Sequence, residues 1–224
     1  MSDGAEDLRK WRLPRGRHGL PREIVTRSQR ERLLAAVVRV IAAKGYESTT
    51  VADILDAAGV GRESFYELFD DKRQCMLTAH GLLVDDLVTR VEAAYATSDP
   101  WEDRVREGLA AVLEWFASSP DVGRFTLIEV SAIGPASLER FEVEFNRFVS
   151  LLDDGRGEGA PEPQIPLAAS LAIGATFARV YEAVVCGRTS ELPDMLPELT
   201  FEVLVPFVGE EAARAQERRA AATG

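Results

Sequence analysis

The fold of this chain is decided by residues 49–72, TTVADILDAAGVGRESFYELFDDK. Thr50, followed three residues later by Asp53, is typical of a helix start, and apolar residues then recur at helical spacing. Gly59 lies in a turn of three residues, after which a second short helix is predicted over about 61–69. Two short helices joined by such a turn are typical of a helix-turn-helix unit.

The second helix of this unit is predicted to bury Phe65, Leu68 and Phe69. At about 100° per residue, Tyr66 then points outward. An outward tyrosine on so short a helix fits contact with a DNA phosphate or a thymine methyl group better than contact with solvent. The alternative is a helical hairpin that only packs against its neighbours.

The charge is unevenly distributed along the chain. The net charge is −11 over 224 residues, whereas residues 8–46 hold eleven Lys and Arg against Glu23 and Glu31. Such a segment predicts contact with an anion, and the alternative is a solvated basic tail. Residues 1–20 place Pro and Gly between arginines and are predicted to form a flexible basic arm.

Helical spacing continues through most of the remaining sequence, and no alternating strand pattern extends over a useful length. The sequence therefore predicts an all-α fold of about nine helices. The first helix is expected to begin at Pro21 or at Ser28, because Ser28 and Glu31 form a capping-box pattern. Asp70 and Asp71 are expected to cap a long fourth helix.

Composition argues against several classes of protein. Hydrophobic residues make up 46% of the chain, which suits a packed core, and no apolar run approaches the length of a membrane span. Two distant cysteines and two histidines offer little for a disulfide framework, a metal site or a catalytic triad. We therefore expect a cytoplasmic protein that is not an enzyme and binds no cofactor, metal or membrane.

The predicted helices over about 165–187 and 195–208 carry few charges, and the first has two apolar faces. A second apolar face calls for a second partner, which predicts a homodimer through a four-helix bundle. The alternative is a central helix buried within one chain. The residues expected at the dimer contact are Leu167, Leu171, Gly174, Ala178, Val185, Leu199 and Val203.

Aromatic residues concentrate in the middle of the chain. Each one alone is more often ordinary core, but as a set they predict an apolar pocket between helices. The residues expected to line it, with Asn146 as a polar group, are Trp115, Phe116, Phe125, Phe145, Asn146, Phe177 and Tyr181.

A series of residues within about 28–77 extends the helix-turn-helix pattern without a gap: Gly45-Tyr46, Thr49-Thr50-Val51, Asp53-Ile54, Ala57-Ala58-Gly59-Val60, Phe65-Tyr66, Phe69 and Lys72. In these residues the chain resembles the N-terminal DNA-binding domain of the tetracycline-repressor (TetR) family of bacterial transcription regulators. The resemblance implies a regulator, commonly a repressor, that binds a pseudo-palindromic double-stranded DNA operator as a homodimer. It also implies release by a small, largely apolar effector. The alternative function is a helical protein-binding adaptor.

The resemblance also implies which residues contact DNA. Glu63 is additionally expected to accept from a cytosine amine or to hold Arg62 in place. Where the family often has Ser and His, this chain has Gly61 and Leu68, and the basic arm is expected to replace those phosphate contacts. The expected DNA-binding residues are Arg15, Arg17, Arg27, Thr49, Thr50, Arg62, Glu63, Ser64, Tyr66 and Lys72.

Four regions are expected on this basis. They are the basic arm over 1–20, the helix-turn-helix domain over 21–70, a helical domain for effector binding and dimerisation over 71–208, and a charged tail over 209–224.

Overall fold

The computed structural model describes residues 21–96, 100–154 and 167–222, without the side chains of residues 135–140 and 154. The predicted arm, with Arg15 and Arg17, lies outside these residues. Within the described ranges the chain is built from helices alone, which confirms the predicted all-α fold. The ten α-helices are α1 Arg22–Lys44, α2 Val51–Ala58, α3 Arg62–Leu68, α4 Lys72–Tyr95, α5 Trp101–Ser118, α6 Pro120–Gly123, α7 Pro135–Asp154, α8 Ala168–Val185, α9 Leu196–Val208 and α10 Glu210–Ala221.

Helix α1 begins after Pro21, because the Pro21 carbonyl accepts the first helical N–H groups, those of Ile24 and Val25. The alternative start at Ser28 is wrong: Ser28 is buried inside the helix and caps nothing. The Pro fixes a φ of −52° at the helix entrance, and this local restraint takes precedence over the capping-box pattern.

Side chains cap the next helices. The Thr50 hydroxyl accepts from the Asp53 N–H at 3.2 Å, and Asp53 Oδ2 accepts from the Thr50 N–H at 2.9 Å, which completes a capping box. At α4 the cap is Asp71, whose Oδ1 accepts from the Gln74 N–H at 2.7 Å. Asp70 is not a cap, since its own N–H donates to the Gln74 side chain at 2.6 Å.

Helices α1 to α4 enclose the first hydrophobic core, centred on Ile41, Ile54 and Phe65, all fully buried. Phe125, which lies far away in sequence, is also fully buried in this core. It belongs to residues 124–133, called here the linking segment, in which the π-helical turn Arg124–Ile128 is followed by the 3₁₀ turn Glu129–Ile133. The linking segment therefore joins the N-terminal helices to the rest of the molecule.

The remaining helices form two further cores. Helix α4 runs from the first core into one of them, where it packs with α5, α8 and α9. By length and composition α8 would also suit a membrane span, and within the described chain it packs against α7 and α9.

The stretch predicted as a charged tail contains helix α10. Ala213 and Ala220 are buried, and the Arg219 guanidinium donates to Asp103 at 3.1 Å. The small buried face of α10 explains why the sequence predicts about nine helices and the described part of the chain has ten, since alanine gives a weak apolar signal.

Candidate functional site

The turn between α2 and α3 is held in place by α1. Gly59 adopts a left-handed conformation, with φ 61° and ψ 41°, which a residue with a Cβ rarely adopts. The Arg32 guanidinium donates to the carbonyl oxygens of Ala58 and Gly59, both at 3.1 Å. A cation at the C-terminal carbonyls of α2 also interacts favourably with the helix dipole. Arg32 therefore has a structural role, although the sequence places it in the basic segment predicted to contact an anion.

Helix α3 buries one face in the first core and exposes the opposite face to solvent. Phe65 is fully buried and Phe69 nearly so, whereas Tyr66 remains 48% exposed. The Arg62 guanidinium lies 5.7 Å from the centroid of the Tyr66 ring. Ser64 is half-buried and accepts from the Gln29 side chain at 3.2 Å. The anchoring fixes the direction in which the outward side chains point.

The two acidic side chains of α3, Glu63 and Glu67, are both exposed. Glu67 Oε1 lies 3.4 Å from an Arg22 guanidinium nitrogen, and both side chains are exposed to solvent. Glu63 lies in the first turn, beside Arg62, on the surface that also carries Tyr66. Arg27, on α1, is exposed as well.

The two threonines before α2 differ in what they can contact. Thr49 is 2% exposed and its hydroxyl donates to the Gly45 carbonyl at 2.8 Å, so its prediction as a DNA contact is wrong. Thr50 is exposed. The Lys44 side chain donates to Asp53 at 2.6 Å; this hydrogen bond, followed by those from Thr50, holds the pKa of Asp53 well below its ordinary value.

Lys72, predicted as a phosphate contact, also makes contacts within the protein. Its ammonium group donates to the carbonyl oxygens of Tyr46 and Thr49, each at 2.7 Å, and lies 4.2 Å from the centroid of the Tyr46 ring. It thereby ties the start of α4 to the loop between α1 and α2. An ammonium has three donors, so one remains beyond these two carbonyls.

A cavity of about 400 Å³ lies among α4, α5, α7, α8 and the linking segment. Four of the predicted aromatic residues line it: Trp115, Phe116, Phe145 and Phe177. Three predicted lining residues do not. Phe125 belongs to the first core, Asn146 is exposed on α7, and Tyr181 is exposed on α8. Aromatic character predicts burial, but it does not say which of several cores a ring enters.

One part of the cavity is polar. His80 Nε2 lies 3.3 Å from the Thr126 carbonyl oxygen, and His80 Nδ1 lies 3.5 Å from Glu144 Oε1. His80 is 4% exposed and Glu144 is half-buried. The sequence gives no signal for this pair, because its two members lie on helices α4 and α7, far apart in the chain.

The linking segment connects this cavity to the helix-turn-helix. Thr126 lines the cavity, whereas Glu129, three residues later, is buried and reaches the other side. Glu129 Oε2 accepts from the Tyr46 N–H at 2.9 Å, and Oε1 accepts from Arg124 at 3.1 Å. Tyr46 lies in the loop before α2, so this hydrogen bond joins the linking segment to the loop that leads into the helix-turn-helix.

The outer face of α8 is apolar and uncovered in the single chain. Leu167, Leu171 and Val185 are all more than half exposed, and a Cβ added at Gly174 would meet no atom within 4 Å. Two predicted dimer contacts on α9 are wrong, however. Leu199 and Val203 are 1% and 2% exposed, because that face of α9 is already covered by its own chain.

Among the described residues, no group of three His, Cys, Asp or Glu could hold a metal ion. Helix α2, the turn at Gly59 and helix α3 lie within a stretch that matches a known family. The family model described as "Bacterial regulatory proteins, tetR family" matches residues 33–79. Residues 33–79 thus match the tetR family of bacterial regulatory proteins. The resemblance over residues 28–77 is thereby confirmed.

Proteins similar to this chain include the HTH-type transcriptional regulator CymR from Pseudomonas putida. It is 31% identical over 120 residues, which cover 53% of this chain and 59% of that protein, so the match spans less than two thirds of the relative's length.

Solved structures with the same fold include two FadR regulators. The fatty acid degradation regulator from Bacillus halodurans has a TM-score of 0.70 and 19% identity, covering 79% of this chain and 94% of its own. FadR from Bacillus subtilis, in complex with stearoyl-CoA, has a TM-score of 0.66 and 16% identity, covering 80% and 98%. At such low identity the likeness concerns the fold and not the ligand.

Proposed function

We propose that this chain is a sequence-specific transcriptional regulator of the tetR family. We further propose that it is a repressor, which as a homodimer binds a pseudo-palindromic operator and leaves it when a small apolar molecule enters the cavity. The observation that carries the proposal is a helix-turn-helix with an anchored, outward-facing α3, joined through the buried Glu129 to an apolar cavity.

On the DNA side, α3 has room for few base contacts, because it has only seven residues. Arg62 and Tyr66 form its exposed centre and are assigned to the major groove, with Ser64 beside them. Glu63 restricts the sequences accepted, since a carboxylate pairs with a cytosine amine and repels phosphate. Phosphate contacts are assigned to Thr50, to exposed Arg27, to the third donor of Lys72, and to Arg15 and Arg17 of the arm.

DNA sequences selected by the protein from a random pool would test this assignment. Tyr66→Ala should weaken binding to the selected site about tenfold or more, in line with the ~1–3 kcal/mol of a good base contact. Leu82→Ala is the matched control, because Leu82 is also 48% exposed but lies on α4. Equal affinities of the two variants in fluorescence anisotropy would contradict the role of α3.

The dimer is assigned to the outer face of α8. Two copies can cover each other's Leu171, and Gly174 lets their backbones approach closely. Leu171→Glu should dissociate the dimer in analytical ultracentrifugation, whereas Leu82→Glu, of similar exposure on α4, should leave it intact. A Leu171→Glu variant that sediments as a dimer would show that the contact lies elsewhere.

Effector release is assigned to the linking segment. A molecule that enters the cavity contacts Thr126, and its displacement of the linking segment loosens the bond between Glu129 and the Tyr46 N–H. Glu129→Ala removes the acceptor, so a cavity ligand that lowers the DNA affinity of the wild type should lower that of the variant much less. The control is Glu142→Ala, on the exposed face of α7. An undiminished ligand effect in Glu129→Ala would exclude this route.

A further inference from the structure

The cavity is elongated. Helix α4 lines it with a single stripe of side chains, spaced three or four residues apart, at His80, Val84, Leu87, Val91 and Tyr95. At a rise of about 1.5 Å per residue, the first and last of these positions lie about 22 Å apart. A compact cavity with the same volume of about 400 Å³ would be less than half as long. The cavity therefore follows most of the length of α4.

Helix α5 forms the facing wall. Gly108 faces Val91 and Tyr95, near the end of α4. Trp115, about two turns later on α5, donates from Nε1 to Asp86 Oδ2 at 2.9 Å, nearer the start of α4. Two antiparallel helices therefore enclose the cavity over much of its length, and their lining side chains are mainly aliphatic and aromatic.

The cavity is also narrow. Spread over about 22 Å, a volume of about 400 Å³ leaves a mean cross-section of about 20 Å². Carbon atoms in contact lie about 4 Å apart, so this cross-section holds one hydrocarbon chain and leaves no room for a second chain beside it. An unbranched chain therefore fits the cavity, whereas a branched skeleton with the same number of carbons is too wide.

One end of the cavity is closed. Leu152 and Val203 line the cavity and pack in one core with Tyr95. The three side chains are 4%, 2% and 8% exposed, respectively. A chain that reaches Tyr95 therefore cannot extend further in that direction.

The other end of the cavity opens to solvent beside Phe141. This ring lines the cavity, is 40% exposed, and packs edge-on against the ring of Phe177 with 5.0 Å between the centroids. Phe141 lies on α7 about one turn before Glu144, which is next to His80 at the start of the stripe. A chain that enters here leaves its polar head beside Phe141 and points its tail toward Tyr95.

Length and volume give the same chain length. Each carbon–carbon bond of about 1.5 Å advances an extended chain by about 1.25 Å, so about 22 Å holds about 15 carbons with their van der Waals radii. A cavity of about 150 Å³ holds benzene, or about 25 Å³ per carbon, which allows about 16 carbons in this cavity.

Gly108 lies at the closed end. A Cβ added there would meet Tyr95 Cδ2 at 3.4 Å and Val91 Cγ1 at 3.6 Å, which are ordinary contact distances. All three residues line the cavity, so the further atoms of a larger side chain would occupy the cavity itself. The absence of a side chain at Gly108 therefore leaves the closed end free for the tail of a ligand.

We propose that the cavity binds one unbranched alkyl chain of about 14–16 carbons, and that Gly108 sets the longest chain that fits. The role of such a molecule as effector rests on the proposed function. Its binding belongs to the cavity and is measurable on the free protein without DNA.

A series of uncharged probes with one head group tests the chain length. Unbranched alkyl ethers of tetraethylene glycol, with 8 to 18 carbons, are titrated below their micelle concentrations against the full chain, followed by tryptophan emission because Trp115 lines the cavity. The affinity should rise about fourfold per added carbon while the chain is still being buried. It should level off at about 14–16 carbons, where the cavity is full.

A branched probe tests the width. The ether of 2-hexyldecanol has the same head group and the same number of carbons as the hexadecyl ether, but a cavity one chain wide can bury only one of its two arms. The hexadecyl ether should therefore bind about 100-fold more tightly or better, since several methylenes of the branched ether stay outside.

Gly108→Leu tests the closed end. The four carbons of the leucine side chain fill the space of about four ligand carbons, so the affinity should level off at about 10–12 carbons instead. Leucine also favours the helix more than glycine does. The control is Glu114→Leu, at an exposed position of the same helix, which should keep the wild-type profile.

An affinity that keeps rising to 18 carbons would overturn the proposal, as would equal binding of the branched ether or failure of every probe to bind. An unchanged profile in folded Gly108→Leu would remove Gly108 as the residue that sets the chain length. Should Gly108→Leu not fold, the wild-type series and the branched ether decide.

DNA binding by the free protein, measured in parallel, separates the two proposals. Its absence would contradict the proposed function, whereas the probe affinities alone decide the ligand class.

Discussion

Replacing Lys72 by Met distinguishes a structural lysine from a DNA-contacting one. The methionine keeps an unbranched side chain, one atom shorter, but removes both hydrogen bonds, to the Tyr46 and Thr49 carbonyls, and the cation contact with the Tyr46 ring. A lysine that served only to contact phosphate would leave the free energy of unfolding almost unchanged when replaced.

The size of the effect follows from these contacts. Lys72 is half-buried, so each of its two hydrogen bonds contributes about 1 kcal/mol and the ring contact about 0.5 kcal/mol. The variant should therefore lose ~2–3 kcal/mol of unfolding free energy. For a chain of this length that corresponds to a fall in Tm of about 5–10 °C.

Urea unfolding followed by circular dichroism measures the loss directly. Arg73→Met is the matched control, since Arg73 is the exposed neighbour on the same turn of α4, and its unfolding free energy should stay within about 0.5 kcal/mol of wild type. If Lys72→Met unfolds like the control while its DNA binding weakens, the structural reasoning is refuted and the lysine is a phosphate ligand only.

Three further predictions concern single positions. Gly61→Ser should stabilise the protein by a few tenths of a kcal/mol and tighten DNA binding. Gly61 is the N-cap of α3, its φ is −72°, and there is open space for a Cβ. A lower free energy of unfolding in this variant would contradict the prediction. Asp53→Asn removes a carboxylate whose pKa is lowered foremost by the hydrogen bond from Lys44 and then by Thr50. Its stabilisation is complete above the unfolded pKa of about 3.9 and is lost as the pH falls through the lowered value. The difference in Tm between wild type and this variant should therefore shrink from pH 6 to pH 2, and a constant difference would speak against the ion pair. Burial raises the pKa of Cys75 to about 12, so a thiol reagent should modify only the exposed Cys186 in the native protein and both cysteines after unfolding; two native equivalents would show that the first core is open.

Local features of the fold were predictable from sequence because their causes are local. The capping box of Thr50 and Asp53 and the turn at Gly59 each involve residues only a few positions apart. Where two local signals compete, as at Pro21 and Ser28, the sequence leaves the start of α1 open; in the structure the Pro21 restraint and the burial of Ser28 decide it together. Ser28 is drawn into the helix because that face of α1 is buried.

Long-range relations were not predictable in the same way. The bond between Glu129 and the Tyr46 N–H joins residues 83 positions apart, and no periodicity signals it. Helical spacing finds the apolar faces of α8 and α9, but it cannot say which face a chain covers by itself. For that reason Leu171 remains a candidate dimer contact whereas Leu199 does not.

The most direct measurement is a hydroxyl-radical footprint of the full chain on its selected DNA. If α3 of each protomer reads one half-site, wild-type protein should protect two patches related by an inverted repeat, with centres about one helical turn or a multiple of it apart. Tyr66→Ala should lose both patches at the same concentration. A single unrepeated patch, or protection that Tyr66→Ala leaves unchanged, would contradict DNA recognition by this helix.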